Sequence, residues 1–505
     1  MHRSNTGESD RSVTRGSDFL QLDPADAPPG GLSDWLTERL RNAIADGRLP
    51  IGSRLPATRA LATDLRVSRG VITEAYQRLI DDGHIAGRGR AGTIVVAAPL
   101  TPPPAPTPNP PPGAPFPTAP GTDAFDVLRA APARIDLTPG VPDLSAFPRA
   151  AWQRAERTVL RDLPAAGLGY GDPRGTPALR TAVAAWLART RGIRADPTQI
   201  VIVAGTAQAL GLIARTLTHD GIDTVAVEDP GSLGVRQHLR HWGITTPPIP
   251  VDHGGVRVDR LRESGAPAVL LTPAHQFPTG VVLTGDRRRD LLRWAATGGL
   301  VIEDDYDAEH RYDRPPAPAL RSMLPDRVFH AGSVSKLLAP ALRTGWLVPP
   351  PRFLDAVIAE KRFADLGNAA LPQLVLAELM TSGEMERILR LLRRRHRRRR
   401  DTMIAALAAH LPDTAVHGAA AGLHLTITFG ENTGRHIDDA ALAAAALHEG
   451  VKVHPLSWHA QRPTQPGLVL GYAAATTSDI TDGIAALGRA LKKHTPRHPA
   501  PHRSR

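Results

Sequence analysis

The sequence predicts a multidomain α/β protein, and three observations carry that expectation. Residues 99–121 (PLTPPPAPTPNPPPGAPFPTAPG) are too rich in proline for helix or sheet and read as an extended, semi-rigid linker. Ahead of it, residues 31–98 hold short amphipathic patterns and a turn-bounded hairpin, the content of one small domain. Beyond about residue 133, apolar runs bounded by turns alternate with helical stretches, as in a sheet covered by helices. The chain therefore divides into a disordered N-terminus (1–30), a first domain (31–98), a linker (99–132), a second domain (133–490) and a basic tail (491–505).

Composition narrows the setting. No apolar run approaches the roughly 20 residues that cross a bilayer, and MHRSNTGESDRSVTRG has no apolar core of a secretory signal. With no cysteine, disulfides and thiolate metal sites are excluded, which fits the cytoplasm. Twenty histidines show no metal-ligand spacing, so no metal is expected. The net charge of +11 is not in itself a DNA signal. Residues 387–400 (RILRLLRRRHRRRR) hold nine arginines and the tail from Lys492 five more basic residues, together more than the net charge. The arginine run reads as a helix with a solvated face and an apolar side of Ile388, Leu389, Leu391 and Leu392.

In the first domain, SDWLTERLRNAIADGRL (33–49) places Trp35, Leu36, Leu40, Ile44 and Leu49 at helical spacing, with Ser33 as its cap. A short helix, TRALATDL (58–65), precedes the turn RVS and a second helix, RGVITEAYQRLIDDG (69–83). That helix is apolar at Val71, Ile72, Ala75, Tyr76, Leu79 and Ile80, which leaves its opposite face free. Ser68 caps it, Arg69 and Thr73 project from its first turns, and Arg59 lies on the preceding helix. The hairpin HIAGRGRAGTIVV (84–96) carries Arg88 and Arg90 at its tip. Helix, helix-turn-helix and basic wing outline a winged-helix reader of double-stranded DNA. AIADGRLPIGSRLPATRALATDLRVSRGVITEAYQRLIDDGHI also resembles the GntR-type winged helix over nearly its full length. The resemblance implies DNA contacts at Arg59, Ser68, Arg69 and Thr73, and at the wing arginines Arg88 and Arg90.

In the second domain IVIVAG (200–205), TVAVED (224–229), AVLLTP (268–273) and LVIEDDY (300–306) read as buried strands, and LRTAVAAWLARTRG (179–192) as helix. Only five of the 61 basic side chains are lysines, and Lys336 lies in HAGSVSKLLAPALRTGW among small and apolar residues. A lysine can shed its proton and condense with an aldehyde; an arginine effectively cannot. The strand ending at Gly205-Thr206 and the helix after it make a phosphate seat, which Ser333 and Arg343 could clasp. A carboxylate at the end of the strand before EDDYDAEHRY suits the ring nitrogen of pyridoxal phosphate (PLP), and a phenol two residues on suits the ring hydroxyl.

Together these segments resemble a fold-type I aminotransferase domain, a mixed sheet in an α/β/α sandwich with a small C-terminal subdomain. With the first domain and linker, the whole chain resembles the MocR branch of GntR regulators. The matching blocks are YGDPRGTPALR, VAGTAQAL, VEDPG, LTPAHQFPTG, EDDYDAEHRY and GSVSKLLAPALRTGWLVPP. The resemblance implies a Schiff base at Lys336, Asp304 at the ring nitrogen and Tyr306 at the ring oxygen. It implies Thr206, Ala207, Ser333 and Arg343 at the phosphate, His275 and Gln276 beside the ring, and a homodimer in which Tyr170 reaches the partner subunit's phosphate.

The pattern is broken twice. Ser232 stands where an aromatic residue commonly stacks on the ring, and Leu468 aligns where an aminotransferase arginine grips the substrate carboxylate. The expectation is therefore a PLP-binding transcriptional regulator that senses PLP itself or a small amino compound. The competing expectation is a working aminotransferase that carries a DNA-binding domain.

Overall fold

The computed structural model describes residues 20–89, 92–97, 115–117, 119–312, 317–430 and 437–494. Two compact units, Met1–Pro111 and Pro112–Arg505, divide the chain.

In the first unit α1 (Leu32–Ala45) packs on α3 (Arg69–Asp81), with α2 (Thr58–Asp64) against α3 and the antiparallel pair β1 (Ile85–Gly87) and β2 (Thr93–Val95) following. Leu36, Leu40, Ile44, Leu61, Ile72, Leu79, Ile85 and Val95 fill the core. The hydrophobic spacing of both long helices explains this burial, but three details differ from expectation. Ser33 lies inside α1, where its hydroxyl donates to Glu74 Oε2 (3.0 Å) on α3; Gly31 occupies the cap position. Ile80 is 39% exposed and adds little to the core. Residues 20–30 were expected to be disordered, yet Leu20 and Leu22 pack against the core, and Pro24–Asp26 forms a single 3-10 turn.

The second unit begins earlier than 133. Phe116 is buried, and α4 (Ala124–Ala130) buries Ala124 and Leu128 in the same cluster as Trp458, so the end of the expected linker is packed structure. After the two-residue β3 (Ile135–Asp136) come α5 (Arg149–Asp162) and α6 (Pro177–Arg191). β4 (Val201–Val203), α7 (Thr206–His219), β5 (Val225–Asp229) and α8 (Leu233–His241) lead to β6 (Pro248–Asp252), β7 (Gly255–Val256), α9 (Val258–Glu263) and β8 (Ala268–Leu271). α10 (Gly285–Ala296), β9 (Leu300–Asp305), β10 (Val328–Ser333) and β11 (Gly345–Val348) complete the large sheet. Its order is β4-β11-β10-β9-β8-β5-β6-β7. β10, β9, β8, β5 and β6 run parallel, and β11 is antiparallel to both β4 and β10. Of the fully apolar strands read from the sequence, β8 is central and buried within the parallel block, whereas β4 is a buried edge strand beside the antiparallel β11.

Helices α11 (Leu354–Asp365), α12 (Ala370–Thr381) and the long α13 (Glu384–His410) connect to the small subdomain. There β12 (Thr414–His417), β13 (His424–Phe429), α14 (Asp439–His448), β14 (Val451–Lys452), β15 (His454–Pro455), β16 (Gly467–Gly471) and α15 (Thr477–His494) follow. The subdomain sheet runs β12-β13-β16-β15, while β14 pairs with β3.

The arginine run lies within α13 and is less solvated than its composition suggests. Ile388, Leu389 and Leu392 are buried, but Leu391 is exposed, and His396, Arg399 and Arg400 are buried too. Arg399 meets Asp143 (2.9 Å), Arg393 donates to the Glu309 carbonyl (2.7 Å), and Arg400 lies over the Tyr312 ring. Four of the nine arginines, counting Arg395 beside Asp143 (3.4 Å), thus hold the second unit together from within.

Candidate functional site

A cavity of about 670 Å³ opens in the second unit, between the C-terminal edge of the large sheet and the small subdomain. Open α/β sheets bind ligands in such a place, outside the carboxyl ends of the strands. Thr206, Ala207, Asp304, Tyr306, Ser333, Lys336 and Arg343 all line it, although they come from three separate stretches of chain.

The phosphate end is built where β4 hands over to α7. Gly205 caps the helix with φ 84°, and the Arg343 guanidinium lies in van der Waals contact with it, 3.4 Å from where a Cβ would be. Glycine therefore meets a backbone requirement, the left-handed φ. The first amides of α7 lack intrahelical partners and face this end of the cavity with the positive end of the helix dipole. Arg343, itself left-handed (φ 46°), donates to the Ala204 carbonyl, and Ser333 ends β10.

Lysine, carboxylate and phenol follow from strand alternation. On β9, Glu303 and Asp305 turn toward His330 and Arg191, with Asp305 and Arg191 2.6 Å apart. Asp304 consequently faces the cavity, and so does Tyr306 beyond the strand end. Burial, with Asp305 and Asp307 nearby, pushes the Asp304 carboxyl up to about 7. Its Oδ1 is buried without a hydrogen-bond partner among the described residues. Burial raises the Tyr306 phenol further, aided by the Asp307 and Asp304 carboxylates, so it stays protonated and donates to the His275 carbonyl (3.0 Å). Lys336 Nζ is held by the Gly140 carbonyl. Burial lowers its ammonium, while Asp307 and Asp304 work the other way.

His275 and Gln276 belong to a loop that reaches the cavity but are buried and do not themselves line it. His275 Nδ1 donates to Asp307 (2.9 Å) and its backbone carries Tyr306. Gln276 ties its loop to the Pro230 carbonyl (2.9 Å) and to Thr279 (2.6 Å). The loop residue that does face the cavity is Phe277. His275, Asp307 and His424 bring ligand-type atoms within 4.8 Å of one another, a proximity that linear spacing did not reveal. Two of those nitrogens are already engaged, His275 Nδ1 by Asp307 and His424 Nε2 by the Pro278 carbonyl (3.0 Å).

Leu468 points into the subdomain core, and by the two-residue period of a strand it is Val469 that shares a face with His424 and His454 of the cavity. Neither position is basic, and Arg462 is paired with Asp229 (2.9 Å). Ser232 lines the cavity as expected and caps α8. Tyr170 lies outside it, 97% exposed.

One contributor was not legible in the sequence. Lys361, which nothing in its local sequence marks out, is fully buried on α11. Its Nζ donates to Gln208 Oε1 (2.8 Å), Asp365 Oδ2 (2.6 Å) and Asn368 Oδ1 (2.5 Å). Gln208 in turn accepts from the Ala204 amide (2.8 Å), and Asn368 donates to the Arg343 carbonyl (3.2 Å). One ammonium thus fastens both walls of the phosphate end.

In the first unit Arg59, Ser68, Arg69, Thr73 and Arg88 are all exposed. Ser68 caps α3 through the Val71 amide (3.4 Å), and the Thr73 hydroxyl donates to the Arg69 carbonyl (2.9 Å). Arg59, Arg69 and Arg88 have no carboxylate within ion-pair reach among the described residues, whereas Arg78 is paired with Asp34 and Glu74 toward α1. These exposed arginines thus sit on α2 (Arg59), at the start of α3 (Arg69) and in the hairpin after β1 (Arg88). Arg90 lies outside the described residues.

Comparison with known proteins supports the same division. Residues 134–487 match the family of aminotransferases class I and II, and residues 32–95 match the bacterial regulatory proteins of the gntR family. The chain is 32% identical to the probable rhizopine catabolism regulatory protein MocR of Rhizobium meliloti, over 94% of this chain and 96% of that one. It is 31% identical to the pyridoxine biosynthesis transcriptional regulator PdxR of Corynebacterium glutamicum, over 79% and 83%. Among solved structures, the multiple substrate aminotransferase of Thermococcus profundus superposes with a TM-score of 0.66 at 26% identity, covering 73% of this chain and 94% of that one.

Proposed function

The chain belongs to the MocR-type GntR regulators, DNA-binding transcriptional regulators whose aminotransferase-like domain binds PLP, and from that premise we propose how its residues make a switch. When bound, PLP supplies an aldehyde that captures amines and a ring that withdraws electrons from them. Lys336 offers the amine that holds the cofactor covalently. Asp304 keeps a proton at the ring nitrogen, and its unpartnered buried oxygen is the observation that carries this assignment. With PLP bound, Tyr306 would turn its one phenol proton from the His275 carbonyl to the ring oxygen. The amides of Thr206 and Ala207, with Ser333 and Arg343, hold the phosphate. His275 and Gln276 support Tyr306 and Phe277 from behind.

Arg59, Ser68, Arg69 and Thr73 contact operator DNA, with Arg88 and Arg90 of the wing beside them. The regulator works in the cytoplasm as a homodimer, in which exposed Tyr170 reaches the partner subunit's phosphate. Its signal is an amino compound, or PLP occupancy itself, and occupancy changes the affinity for DNA. The residue domains at work are the reader at 31–98 and the sensor at 133–490.

The test uses the full chain and a footprinted operator. PLP loading, followed by an amine, should shift operator affinity, and Arg69→Ala should cost about 1–3 kcal/mol at one base or weaken all sequences alike. Operator affinity that ignores both PLP and amines would refute the switch. A turnover aminotransferase is the second reading, favoured by the assembled Lys336, Asp304, Tyr306 and Arg343. Conversion of the bound cofactor to its amine form at roughly 1–10³ s⁻¹ would move the assignment there.

A further inference from the structure

The end of the cavity away from the phosphate seat has no assigned ligand. Its wall is made by His424, His454 and His459 around Phe277, whose ring lies 5.0 Å from His424 and 4.9 Å from His459. His459 Nδ1 accepts the Leu233 amide (3.4 Å), so the neutral ring carries its proton on Nε2, which is buried without a partner. His454 Nδ1 is likewise buried and unpartnered. His424 donates from Nε2 to the Pro278 carbonyl and keeps Nδ1 as an acceptor. Buried polar atoms left without partners in a cavity wall are what a bound ligand completes.

The charges beside this wall are already matched. Lys452 lies 3.7 Å from Asp136, and Arg129 is paired with Asp126 at 2.8 Å. The two remaining cations of the lining, Lys336 and Arg343, belong to the other end. Neither Leu468 nor Val469 supplies an arginine. Burial also holds His454 down at about 4 and His459 and His424 well below the usual range, so the wall stays neutral. A carboxylate brought here would be desolvated with no free cation to meet it. A hydroxyl, which both donates and accepts, matches a wall that presents both a donor and an acceptor.

We propose that His424, His454 and His459 form the effector subsite of the cavity, and that it takes an amine whose far end is an uncharged hydroxyl rather than a carboxylate. The proposal rests on the PLP-binding reading above. The same wall also holds the end of the linker. Phe125 of α4 packs 5.5 Å from the His454 ring, Trp458 Nε1 donates to the Pro117 carbonyl (3.0 Å), and Phe116 lies 5.5 Å from Trp458. A ligand that reorients His454 thus acts on the residues that anchor the chain leading back toward the DNA-binding domain.

The experiment titrates the PLP-loaded full chain with matched pairs: ethanolamine against glycine, 3-aminopropanol against β-alanine, and 4-aminobutanol against 4-aminobutyrate, with propylamine as the plain reference. Binding is read from the visible absorbance of the cofactor. At least one amino alcohol should bind about tenfold tighter than its carboxylate partner. His459→Phe should remove that preference while propylamine binds as before, and His459→Gln, which keeps an N–H, should restore part of it. Carboxylates binding as tightly as alcohols, or a preference that survives both His459→Phe and His454→Phe, would overturn the subsite. A chain that acquires no visible band with PLP would instead overturn the cofactor reading on which it rests.

Discussion

The two ends of the cavity are built on opposite plans. At the phosphate end the side chains that shape the seat are tied to one another, and only the first amides of α7 are left for a ligand: Lys361 reaches Gln208, Asp365 and Asn368, and these reach Ala204 and Arg343. At the far end His454 and His459 each leave a buried nitrogen unsatisfied. A fully wired seat is preorganised and loses little entropy when a constant ligand arrives. An unsatisfied wall gains most from a ligand that completes it, which is the property a sensor needs. Constancy belongs to the cofactor and variability to the signal, and the division is drawn in hydrogen bonds.

The sharpest way to break this comparison is at the junction of the two ends. Lys336→Ala removes the one amine that can hold the cofactor covalently, yet leaves the phosphate seat intact. Borohydride treatment followed by dialysis should fix PLP on the wild type and leave none on the variant. Residual PLP that survives this treatment on Lys336→Ala would place the reactive amine elsewhere, and among the described residues Lys452 is the other lysine that lines the cavity.

Much of the phosphate end was legible because its signals are local. The turn at Gly205, the lysine three residues after Ser333 and the alternation that turns Asp304 and Tyr306 one way are all patterns within a few residues. What was not legible depends on distant chain. Lys361 and Gln208 meet across 153 positions, and nothing around Lys361 distinguishes it from a solvated helical lysine. His454 and His459 become a wall only when the subdomain folds onto the loop after β5. That Leu468 turns into the core while Val469 shares a face with His424 and His454 was also not legible, since in a strand one residue inverts the face. Similarly, Arg399 reads as part of a charge run until Asp143, far away in sequence, is seen beside it.

Asp304 offers a second and smaller test, through pH. Its carboxyl is pushed up to about 7 in the folded chain without cofactor, well above its unfolded value near 3.8. Between roughly pH 4 and 7 the folded state therefore binds more protons than the unfolded state at this residue, and its contribution falls as pH rises. Relative to Asp304→Asn, cofactor-free wild type should lose stability across that window, by at most about 1.4 kcal/mol per pH unit. The buried histidines, whose values are lowered, act in the opposite direction and cancel in the comparison between the two proteins. Thermal melts of both proteins at pH 5 and pH 7 measure the difference. Bound PLP should flatten it, because a protonated ring nitrogen supplies the partner that Asp304 Oδ1 lacks; a slope unchanged by PLP would separate Asp304 from the ring nitrogen.

The smallest expected effect sharpens the contrast between wired and unwired ends. Lys361→Met keeps the aliphatic stem and removes the ammonium, so Gln208 loses one of its two side-chain partners on α11 but still accepts from Ala204, and Asn368 is freed from one side. Asp365 retains the Gln208 amide and the Gly367 N–H, which limits the cost of the lost ion pair. The seat should loosen without dissolving. PLP affinity is then expected to fall by about tenfold, close to 1.4 kcal/mol, while pyridoxal, which has no phosphate, binds as before. Asn368→Ala cuts only the arm to the Arg343 carbonyl and should give a smaller loss with the same selectivity for the phosphate. Since a general weakening of the fold would lower both ligands together, the ratio of PLP to pyridoxal affinity carries the result. An unchanged ratio in Lys361→Met would mean that the buried ammonium supports the packing of α11 on α7 and not the phosphate seat.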